Sequence, residues 1–452
     1  MTRRKHKLQR RFLVLLFATL AGVASAQTPL TLDQAMQLGL DNSKSLKISE
    51  LNVTTAREKY NEVNASRFAS LELKGGYTRL SSIPGFDLSL PANLFGPGFP
   101  PRPITYPISQ FYFNYYNLQL QLQQPIFTGF QLLNSAKAAK RTAEATSFDT
   151  RADKSNLKVQ IASAYWTLYA AIQAQNVMQE NLDRTKSHYK QAVDLMNQGM
   201  LTQSDVLSAK VQLSNSQLSL LDAENNVRLA AVSLNNVLGV PLNTDYVIKS
   251  TPQTGDTTLP HISRLLHTAI ENRPELQSLD LKSEAADAAV KVAWGAYLPQ
   301  ISLFGDYYYQ RPNQRFQPPQ DVFKGTWDAG VLLSLPIWNW GQTQDKVDQA
   351  NAQYQQSRLA VKQMADGVYL QVTQSYLNFK QAVDKIKVAG ETVKDAEESY
   401  RISDQKFKVG LVTNTDLMDA EMALLQAKLN YTQALTGLEI ARINLEQSTG
   451  QL

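Results

Sequence analysis

Two short stretches decide how the chain folds: Gly199-Met200-Leu201-Thr202-Gln203-Ser204-Asp205-Val206-Leu207 and Gly410-Leu411-Val412-Thr413-Asn414-Thr415-Asp416-Leu417-Met418. They begin 211 residues apart, and each interrupts a long run of helix-forming sequence. In each stretch the glycine predicts the end of one helix, and the Thr and Asp that follow offer oxygens to cap the next. Each stretch is therefore predicted to be the tip of a long helical hairpin.

The distribution of proline indicates how long these helices are. All 18 prolines lie at position 29, between 84 and 125, or between 241 and 336. Residues 131–198 contain neither Pro nor Gly, so a single helix there would be about 100 Å long at about 1.5 Å per residue. Apolar residues alternately three and four apart predict coiled-coil packing in both halves: Leu157, Ile161, Tyr165, Leu168 and Ile172; Val372, Tyr376, Phe379, Val383 and Ile386.

The two halves of the chain repeat each other. Tyr165 reappears as Tyr376 at an offset of 211, and Tyr77 reappears as Tyr307 at an offset of 230. The 19 extra residues of the first half fall in a proline-rich loop after Tyr77. An internal duplication follows, with these expected boundaries: signal peptide 1–26, first repeat 27–240, linker 241–260 and second repeat 261–452.

Four segments of about ten residues alternate apolar and polar side chains, and aromatic residues cluster near their loop ends. This pattern is typical of strands in a transmembrane β-barrel, although a soluble pair of hairpins with one wet face is the alternative. Four strands cannot close a membrane barrel, which needs about eight, so two, three or four chains would have to contribute. The predicted strands cover about 68–80, 111–125, 299–310 and 327–337.

The N-terminus has the pattern of a secretory signal peptide: six basic residues, the apolar run Phe12 to Val23, and the cleavage site Ala24-Ser25-Ala26. Removing it leaves 39 basic against 40 acidic residues, so the formal net charge of +5 does not indicate a nucleic-acid partner. Cysteine is absent, and no later segment is apolar enough for a membrane-spanning helix. Entry into a membrane would therefore require a β-barrel.

No motif in the sequence indicates catalysis, a cofactor or a metal site. The histidines after the predicted signal peptide, His188, His261 and His267, are not spaced with carboxylates as metal ligands are. A phosphate-binding glycine loop and a nucleophile elbow are also absent from the sequence. We therefore expect a protein that is not an enzyme and whose energy comes from a partner.

The ordered, duplicated motifs resemble the TolC family of outer-membrane efflux proteins. They include Leu32 with Ala35, Asn272-Arg273-Pro274-Glu275-Leu276, Pro125-Ile126-Phe127, Pro336-Ile337-Trp338 and both tips. The resemblance implies an α+β membrane protein: a homotrimer whose chains each give four strands to a 12-strand transmembrane β-barrel in outer-membrane lipid. A long α-helical coiled-coil tunnel would continue into the periplasm. It also implies a passive exit duct that docks to a periplasmic adaptor and, through it, serves an inner-membrane pump or ABC transporter.

The resemblance assigns roles to residues at both tips. Val409-Gly410-Leu411 matches the family's Val-Gly-Leu motif, which meets the adaptor. In the first repeat the corresponding residues are Gly199, Met200 and Leu201, which depart from that motif in detail. An exposed apolar residue at a tip suits docking, whereas a simple helix-ending glycine is the alternative.

The resemblance also implies an acidic ring at the periplasmic aperture. Asp416 and Asp419 match the family's two acidic positions; Asp205 is the counterpart of the first in the other repeat. Three chains would make rings of carboxylates that favour cations. For Asp416, capping of its helix is the alternative. The arginine that locks the closed tip in the best-studied members is Val412 here.

Two alternative functions stay open. One is a trimeric structural or adhesive protein, in which a barrel anchors a coiled-coil stalk. Strands in both halves of the sequence favour a duct over such a stalk. The other alternative is a dedicated type I protein-secretion duct, which nothing in the sequence separates from a drug-efflux duct.

Overall fold

The computed structural model describes residues 28–81, 87–91, 104–107, 112–253, 255, 259–316 and 320–452. The predicted signal peptide, 1–26, lies outside these residues. The chain divides into two compact units. Of the described residues, the helical unit comprises those up to Ser49, Thr150–Pro274 and Ala365–Leu452, and the sheet unit comprises those within Glu50–Asp149 and Glu275–Met364.

Helices and strands follow one another in the order that the duplication predicts. They are β1 (Thr28–Leu30), α1 (Leu32–Asn42), α2 (Lys44–Ala65), β2 (Ser70–Arg79), β3 (Asp87–Leu90), β4 (Ile104–Pro107), β5 (Asn114–Thr128), α3 (Gln131–Asn197), α4 (Gln203–Leu238), β6 (Tyr246–Ile248), α5 (Ile262–Asn272), α6 (Pro274–Trp294), β7 (Gln300–Arg311), β8 (Lys324–Ser334), α7 (Gln342–Lys408) and α8 (Asn414–Ser448).

The two long hairpins have matching lengths. Helices α3 and α7 each contain 67 residues, and their first residues are separated by the same offset as Tyr165 and Tyr376. The first residues of the return helices α4 and α8 keep this offset. Upstream, the starts of α1 and α5, and those of α2 and α6, are separated by the offset that relates Tyr77 to Tyr307. The helices therefore follow both offsets seen in the sequence.

The helix that precedes the strands in each repeat is broken in two. Residues with extended backbone, Ser43 and Arg273, separate α1 from α2 and α5 from α6. Ser43 accepts a hydrogen bond from the Leu46 amide (3.1 Å) and so caps α2. Arg273 precedes Pro274, and a residue before proline is disfavoured in the helical conformation.

The main apolar core of the helical unit lies where β1, α1, α3, α4 and α8 meet. Ile161 and Tyr165 from α3 are fully buried there, as are Leu234 and Leu238 from α4. In both repeats the predicted coiled-coil positions are buried or half-buried, which confirms the seam.

Part of the predicted linker, 241–260, packs against this core through Tyr246 and Ile248. Strand β6 pairs in parallel with β1. The Tyr165 hydroxyl donates to the Leu30 carbonyl (3.0 Å) and accepts from the Ser250 amide (3.0 Å), so it joins both strands to α3. The Asn235 amide donates to the carbonyls of Leu242 and Thr244. The sequence prediction missed this pairing because its two strands are very short and lie far apart in the chain.

The sheet unit holds a four-stranded antiparallel sheet in the order β2-β5-β7-β8. Apolar residues from the four strands lie side by side and are exposed: Leu73, Leu120, Tyr307 and Trp327. The adjoining row on the other face is polar: Glu72, Gln121, Asp306 and Asp328. The predicted alternation is confirmed, with the apolar face open.

Two strands end at other residues than the sequence suggested, and proline explains both differences. The strand expected over 111–125 runs from Asn114 to Thr128, because a register shift between Pro125 and Phe127 accommodates the proline. The strand expected over 327–337 ends at Ser334, before Pro336, which has no amide hydrogen for the ladder.

The proline-rich loop between β2 and β5 contains β3 and β4, which pair with each other in antiparallel fashion.

Across the part of the chain that the structure describes, no helix combines the length and the apolar character needed to cross a membrane.

Candidate functional site

Both hairpin tips are built by the same turn. The Gly199 and Gly410 backbones have φ values of +75° and +72°, a left-handed conformation that glycine adopts without strain. The amide of the following residue reaches back five residues: Met200 to the Leu195 carbonyl and Leu411 to the Lys406 carbonyl, both at 2.9 Å. These contacts form a Schellman motif, which satisfies the last carbonyls of α3 and α7.

A capping box then starts each return helix. In α8 the Thr413 side chain accepts from the Asp416 amide (3.2 Å), while the Asp416 carboxylate accepts from the Thr413 amide (2.8 Å). In α4, Thr202 and Asp205 make the same pair of bonds at 3.2 and 2.9 Å. The expectation that Thr and Asp at the tips cap the return helices is therefore confirmed.

Capping also sets the charge of these carboxylates. Hydrogen bonds from the Thr413 side chain first, and then from its amide, lower the pKa of Asp416 below its ordinary value. The hydroxyl and amide of Thr202 lower the pKa of Asp205 in the same way. Asp416 and Asp419 are both exposed and lie three residues apart on α8. Asp416 is thus a capping residue whose charged carboxylate also faces solvent.

The apolar residues of the tips divide into an outward and an inward group. Met200, Val409 and Leu411 point outward, with exposures of 50, 62 and 74%. The Met200 methyl group also lies 3.1 Å from the position that a Cβ on Gly410 would take, so the two tips touch. Leu201, by contrast, packs inward against both apolar clusters beneath the tips.

Beneath the turns, the two hairpins share a small apolar cluster. Its buried members are Leu195 of α3, Phe407 of α7 and Leu417 of α8. Val412 stands at the position where the family resemblance would place a locking arginine. Its side chain packs against this apolar cluster. An apolar contact therefore occupies that position in this chain.

A buried polar cluster lies next to these apolar residues. The His188 ring, 3% exposed, has its Nδ1 3.3 Å from the Glu421 carboxylate and its Nε2 2.9 Å from the Asn414 side-chain oxygen. The Asn414 amide group faces the Asp205 carbonyl at 3.4 Å. Glu421 is 1% exposed, and its second oxygen, Oε1, has no hydrogen-bond partner among the described residues. The cluster joins α3 of the first hairpin to α8 of the second.

Charged and aromatic groups surround this cluster. Phe407 meets the His188 ring edge to face, with centroids 5.1 Å apart. The Arg184 guanidinium lies over the Tyr400 ring, 5.8 Å from its centroid. Burial first, and then the charges of Glu421 and Asp404, raise the pKa of Tyr400 to about 12, with Arg184 opposing. The hydroxyl of Tyr400 therefore stays neutral at physiological pH.

The sequence contained a signal for this cluster that histidine-to-carboxylate spacing did not reveal. Asn181, His188 and Leu195 are seven residues apart and all buried, so they share one coiled-coil position. Asn414 and Glu421 are also seven apart and buried. Polar residues at a buried heptad position were the informative pattern. Within the described part of the chain, no group of three or more His, Asp or Glu could hold a metal ion.

Comparison with known proteins identifies the family. The family described as "Outer membrane efflux protein" matches residues 35–240 and 265–451, which together make up most of the chain. The chain belongs to this family. A similar curated protein is named TolC, which agrees with the resemblance noted in the sequence.

Several curated relatives of this outer membrane efflux protein are similar over much of their length. Outer membrane efflux protein BepC of Brucella suis biovar 1 (strain 1330) is 24% identical over 341 residues, which are 74% of this chain and 72% of BepC. Outer membrane protein TolC of Escherichia coli (strain K12) is 22% identical over 349 residues, 74% of this chain and 69% of TolC. Both names place the relatives in the outer membrane.

Solved structures share the fold at low sequence identity. A structure of CusC matches with a TM-score of 0.78 and 18% identity, covering 94% of this chain and 93% of CusC. The outer-membrane channel OprN matches with a TM-score of 0.76 and 17% identity, covering 93% of this chain and 90% of OprN. This chain is accordingly an outer membrane efflux protein, and it shares its fold with an outer-membrane channel.

Proposed function

We propose that this chain is one subunit of a trimeric, passive efflux duct, gated at its helix tips and docked there to a periplasmic adaptor. The observation that carries the proposal is the matched pair of hairpins, whose glycine turns present Met200 and Leu411 and are each followed by a capping carboxylate. Export would remove the predicted signal peptide, 1–26. The adaptor would in turn recruit an inner-membrane pump or ABC transporter, which supplies the energy.

The edges of the sheet support closure by other copies of the chain. Strands β2 and β8 form the two edges of the sheet, and each leaves one row of backbone groups open within the described residues. Such edges are not tolerated in lipid, and an open edge is a template for pairing. Since β2 and β8 run in opposite directions, β8 of one copy can extend β2 of the next as an antiparallel ladder. Three copies would give the 12-strand barrel that the family resemblance implies, with the apolar face toward lipid.

The surfaces of the long helices support the same assembly. Helix α4 carries a stripe of exposed apolar side chains that no helix covers within the described part of one chain. Helix α7 carries a second such stripe. Apolar stripes at heptad-like spacing are the surfaces that coiled coils bury, so neighbouring copies would cover them. Their members are Leu207, Val211, Leu218, Leu221, Leu229 and Val232 on α4, and Leu370, Leu377, Val388 and Ile402 on α7.

Adaptor docking rests on the outward group at the tips. Val409, Gly410 and Leu411 form one exposed apolar knob, and Gly199 and Met200 form the other. Leu201 would support the first knob from inside, because it packs inward. A crosslinker placed at Leu411 should capture a co-expressed adaptor, whereas crosslinks confined to the outer loops would contradict this assignment.

The acidic ring is tested by conductance of the purified protein in planar bilayers. Three chains would bring together three copies each of Asp416 and Asp419, with Asp205 nearby, and such rings favour cations. Asp416→Asn with Asp419→Asn removes the charge, while the side-chain oxygen that remains at position 416 can still accept the capping bond. We expect a pore of low conductance whose cation preference falls in this variant. The control is Asp33→Asn with Asp41→Asn, an equal charge change at two exposed positions of α1.

Three outcomes of the bilayer experiment would count against the proposal. A protein that forms no channel would refute the duct and favour the adhesive alternative. An unchanged cation preference in the double variant would refute the ring but not the duct. An equal loss of preference in Asp33→Asn with Asp41→Asn would show that overall charge, and not the tip, sets selectivity.

A further inference from the structure

Two carboxylates face each other in the middle of the sheet. Asp306 of β7 and Asp328 of β8 are direct partners in the antiparallel ladder, and both lie on its polar face. Direct partners have Cβ atoms about 4.5–5.5 Å apart, and two like charges at this separation destabilise a sheet. Aspartate is also a poor strand former. The pair is therefore unfavourable for the sheet alone and calls for a cation beside it.

A guanidinium already lies at this place. Arg315, from the loop after β7, donates to the Asp328 carboxylate and lies over the Tyr308 ring, 4.4 Å from its centroid. Tyr308 is two residues from Asp306 and so shares its face of the sheet. The Gln119 amide joins them, because it lies 3.0 Å from the Asp306 carboxylate and 3.5 Å from the Tyr308 hydroxyl. Two carboxylates and an aromatic ring are thus gathered where one planar cation sits.

Arg315 does not balance the charge of this site. One guanidinium faces two carboxylates, because Asp306, 8% exposed, makes no ion pair among the described residues. The second Asp328 oxygen, Oδ1, is buried and has no hydrogen-bond partner among them. Lys74, on the polar face of β2, pairs with Glu72 at 3.2 Å. The site therefore keeps a net negative charge and an unused buried acceptor, which a second cation could satisfy better than the resident one.

Arg315 is held so that its side chain can leave without movement of its loop. Its amide donates to the Asn313 side chain (2.9 Å), and Asn313, 1% exposed, donates to the Lys324 carbonyl (3.0 Å) and the Thr326 hydroxyl (3.2 Å). These bonds fix the backbone beside the polar face. The Arg315 side chain is 41% exposed, so a change of rotamer alone carries its guanidinium into solvent. Resident and incoming cations can therefore exchange.

We propose that Asp306, Asp328 and Tyr308 form a binding site for guanidinium compounds, in which Arg315 is a displaceable internal ligand. The carboxylates accept hydrogen bonds from the incoming cation, and the Tyr308 ring stacks on its face. The site rests on the proposed function in one respect, because cargo reaches it only if the polar face of the sheet lines the duct. Three copies of the chain would place three such sites at one level of the barrel.

Saturation-transfer NMR with methylguanidinium as the probe tests the site on the purified full chain in detergent. Arg315→Gln removes the internal competitor, so affinity for the probe should rise about tenfold, because neither the ion pair nor the ring contact has to be broken first. Arg315→Lys keeps the charge but loses the planar group, so its gain should be smaller. In the Arg315→Gln background, Asp306→Asn, Asp328→Asn and Tyr308→Leu should each cancel most of the gain.

The chain offers a matched control in Arg311. It pairs with Asp321 (3.0 and 3.1 Å), and its guanidinium carbon lies 5.9 Å from the ring centroids of Tyr116 and Phe323. Among the described residues, however, it pairs with one carboxylate and not with a facing pair. Arg311→Gln should therefore leave affinity for the probe unchanged. No gain in Arg315→Gln, an equal gain in Arg311→Gln, or a gain that survives all three second substitutions would overturn the site.

Planar bilayers separate failure of the site from failure of the proposed function. A conducting pore whose Arg315→Gln variant binds the probe no tighter than the wild type overturns the site alone. Tighter binding by a variant that forms no pore upholds the site and refutes the duct. Where both hold, methylguanidinium should block current through Arg315→Gln at about tenfold lower concentration than in the wild type. Circular dichroism identifies the variants that fold as the wild type does, and only these count.

Discussion

The hydroxyl of Tyr165 offers a sharp test of how residues 241–260 are held. It bonds the Leu30 carbonyl of β1 and the Ser250 amide beyond β6, both at 3.0 Å. Tyr165→Phe removes both bonds and leaves the buried ring in place. The Leu30 carbonyl keeps its bond from the Lys249 amide (3.0 Å), but the Ser250 amide loses its partner.

The magnitude follows from these contacts. One hydrogen bond contributes about 1 kcal/mol net, so the two together would contribute about 2 kcal/mol. Ser250 is only partly buried, and water can replace its partner, which lowers the loss to about 1–2 kcal/mol. Local opening at β6 should therefore become about 5-fold to 30-fold more frequent, at about 1.36 kcal/mol per tenfold change.

Hydrogen exchange of the peptide 246–253 measures this opening. The matched control is Tyr376→Phe, which deletes the same hydroxyl at the equivalent position of the second repeat. Tyr376 is half-buried, and among the described residues its hydroxyl has no bond to β1 or β6. Unchanged exchange in Tyr165→Phe, or equal changes in both variants, would refute the reasoning.

Three further predictions concern the tips and the sheet. Thr413→Val should raise hydrogen exchange in the first turn of α8 about fivefold, because an N-cap contributes about 1 kcal/mol. In the wild type, the same cap should weaken as the pH falls through the lowered pKa of Asp416, because a protonated carboxyl accepts the Thr413 bonds less well. In thermal unfolding, Gly410→Ala should destabilise the tip by about 1–2 kcal/mol, whereas Gly367→Ala, in the open middle of α7, should stabilise by about 0.5–1 kcal/mol. Arg315→Ala should increase cation preference in bilayers, measured by reversal potential, because Arg315 neutralises Asp328.

The long helices and tips could be predicted because local sequence decides them. A glycine followed by Thr and Asp specifies a Schellman turn and a capping box, and both appear at Gly199 and Gly410. Absence of proline and the heptad spacing specified the helix lengths. The alternation of apolar and polar side chains along each strand likewise predicted the exposed apolar rows of the sheet.

The parts that sequence reasoning missed depend on contacts between distant segments. Strand β6 exists because Tyr246–Ile248 meets Thr28–Leu30, which belongs to the opposite end of the first repeat. Likewise, both ring nitrogens of His188 contact residues of the other hairpin, Asn414 and Glu421. Local spacing cannot reveal such partners, although a heptad register that places polar residues in a buried stripe can point to them.

The equal length of α3 and α7 limits how the two repeats can diverge in evolution. Met200 reaches Gly410 only because both 67-residue helices end at the same level. Deleting one heptad from α3 alone would draw the two tips apart by about 10 Å, whereas the same deletion in both hairpins would keep them together. Loops are free of this constraint, as the 19 residues found only in the first repeat illustrate. Insertions and deletions in the helices should therefore be inherited in pairs.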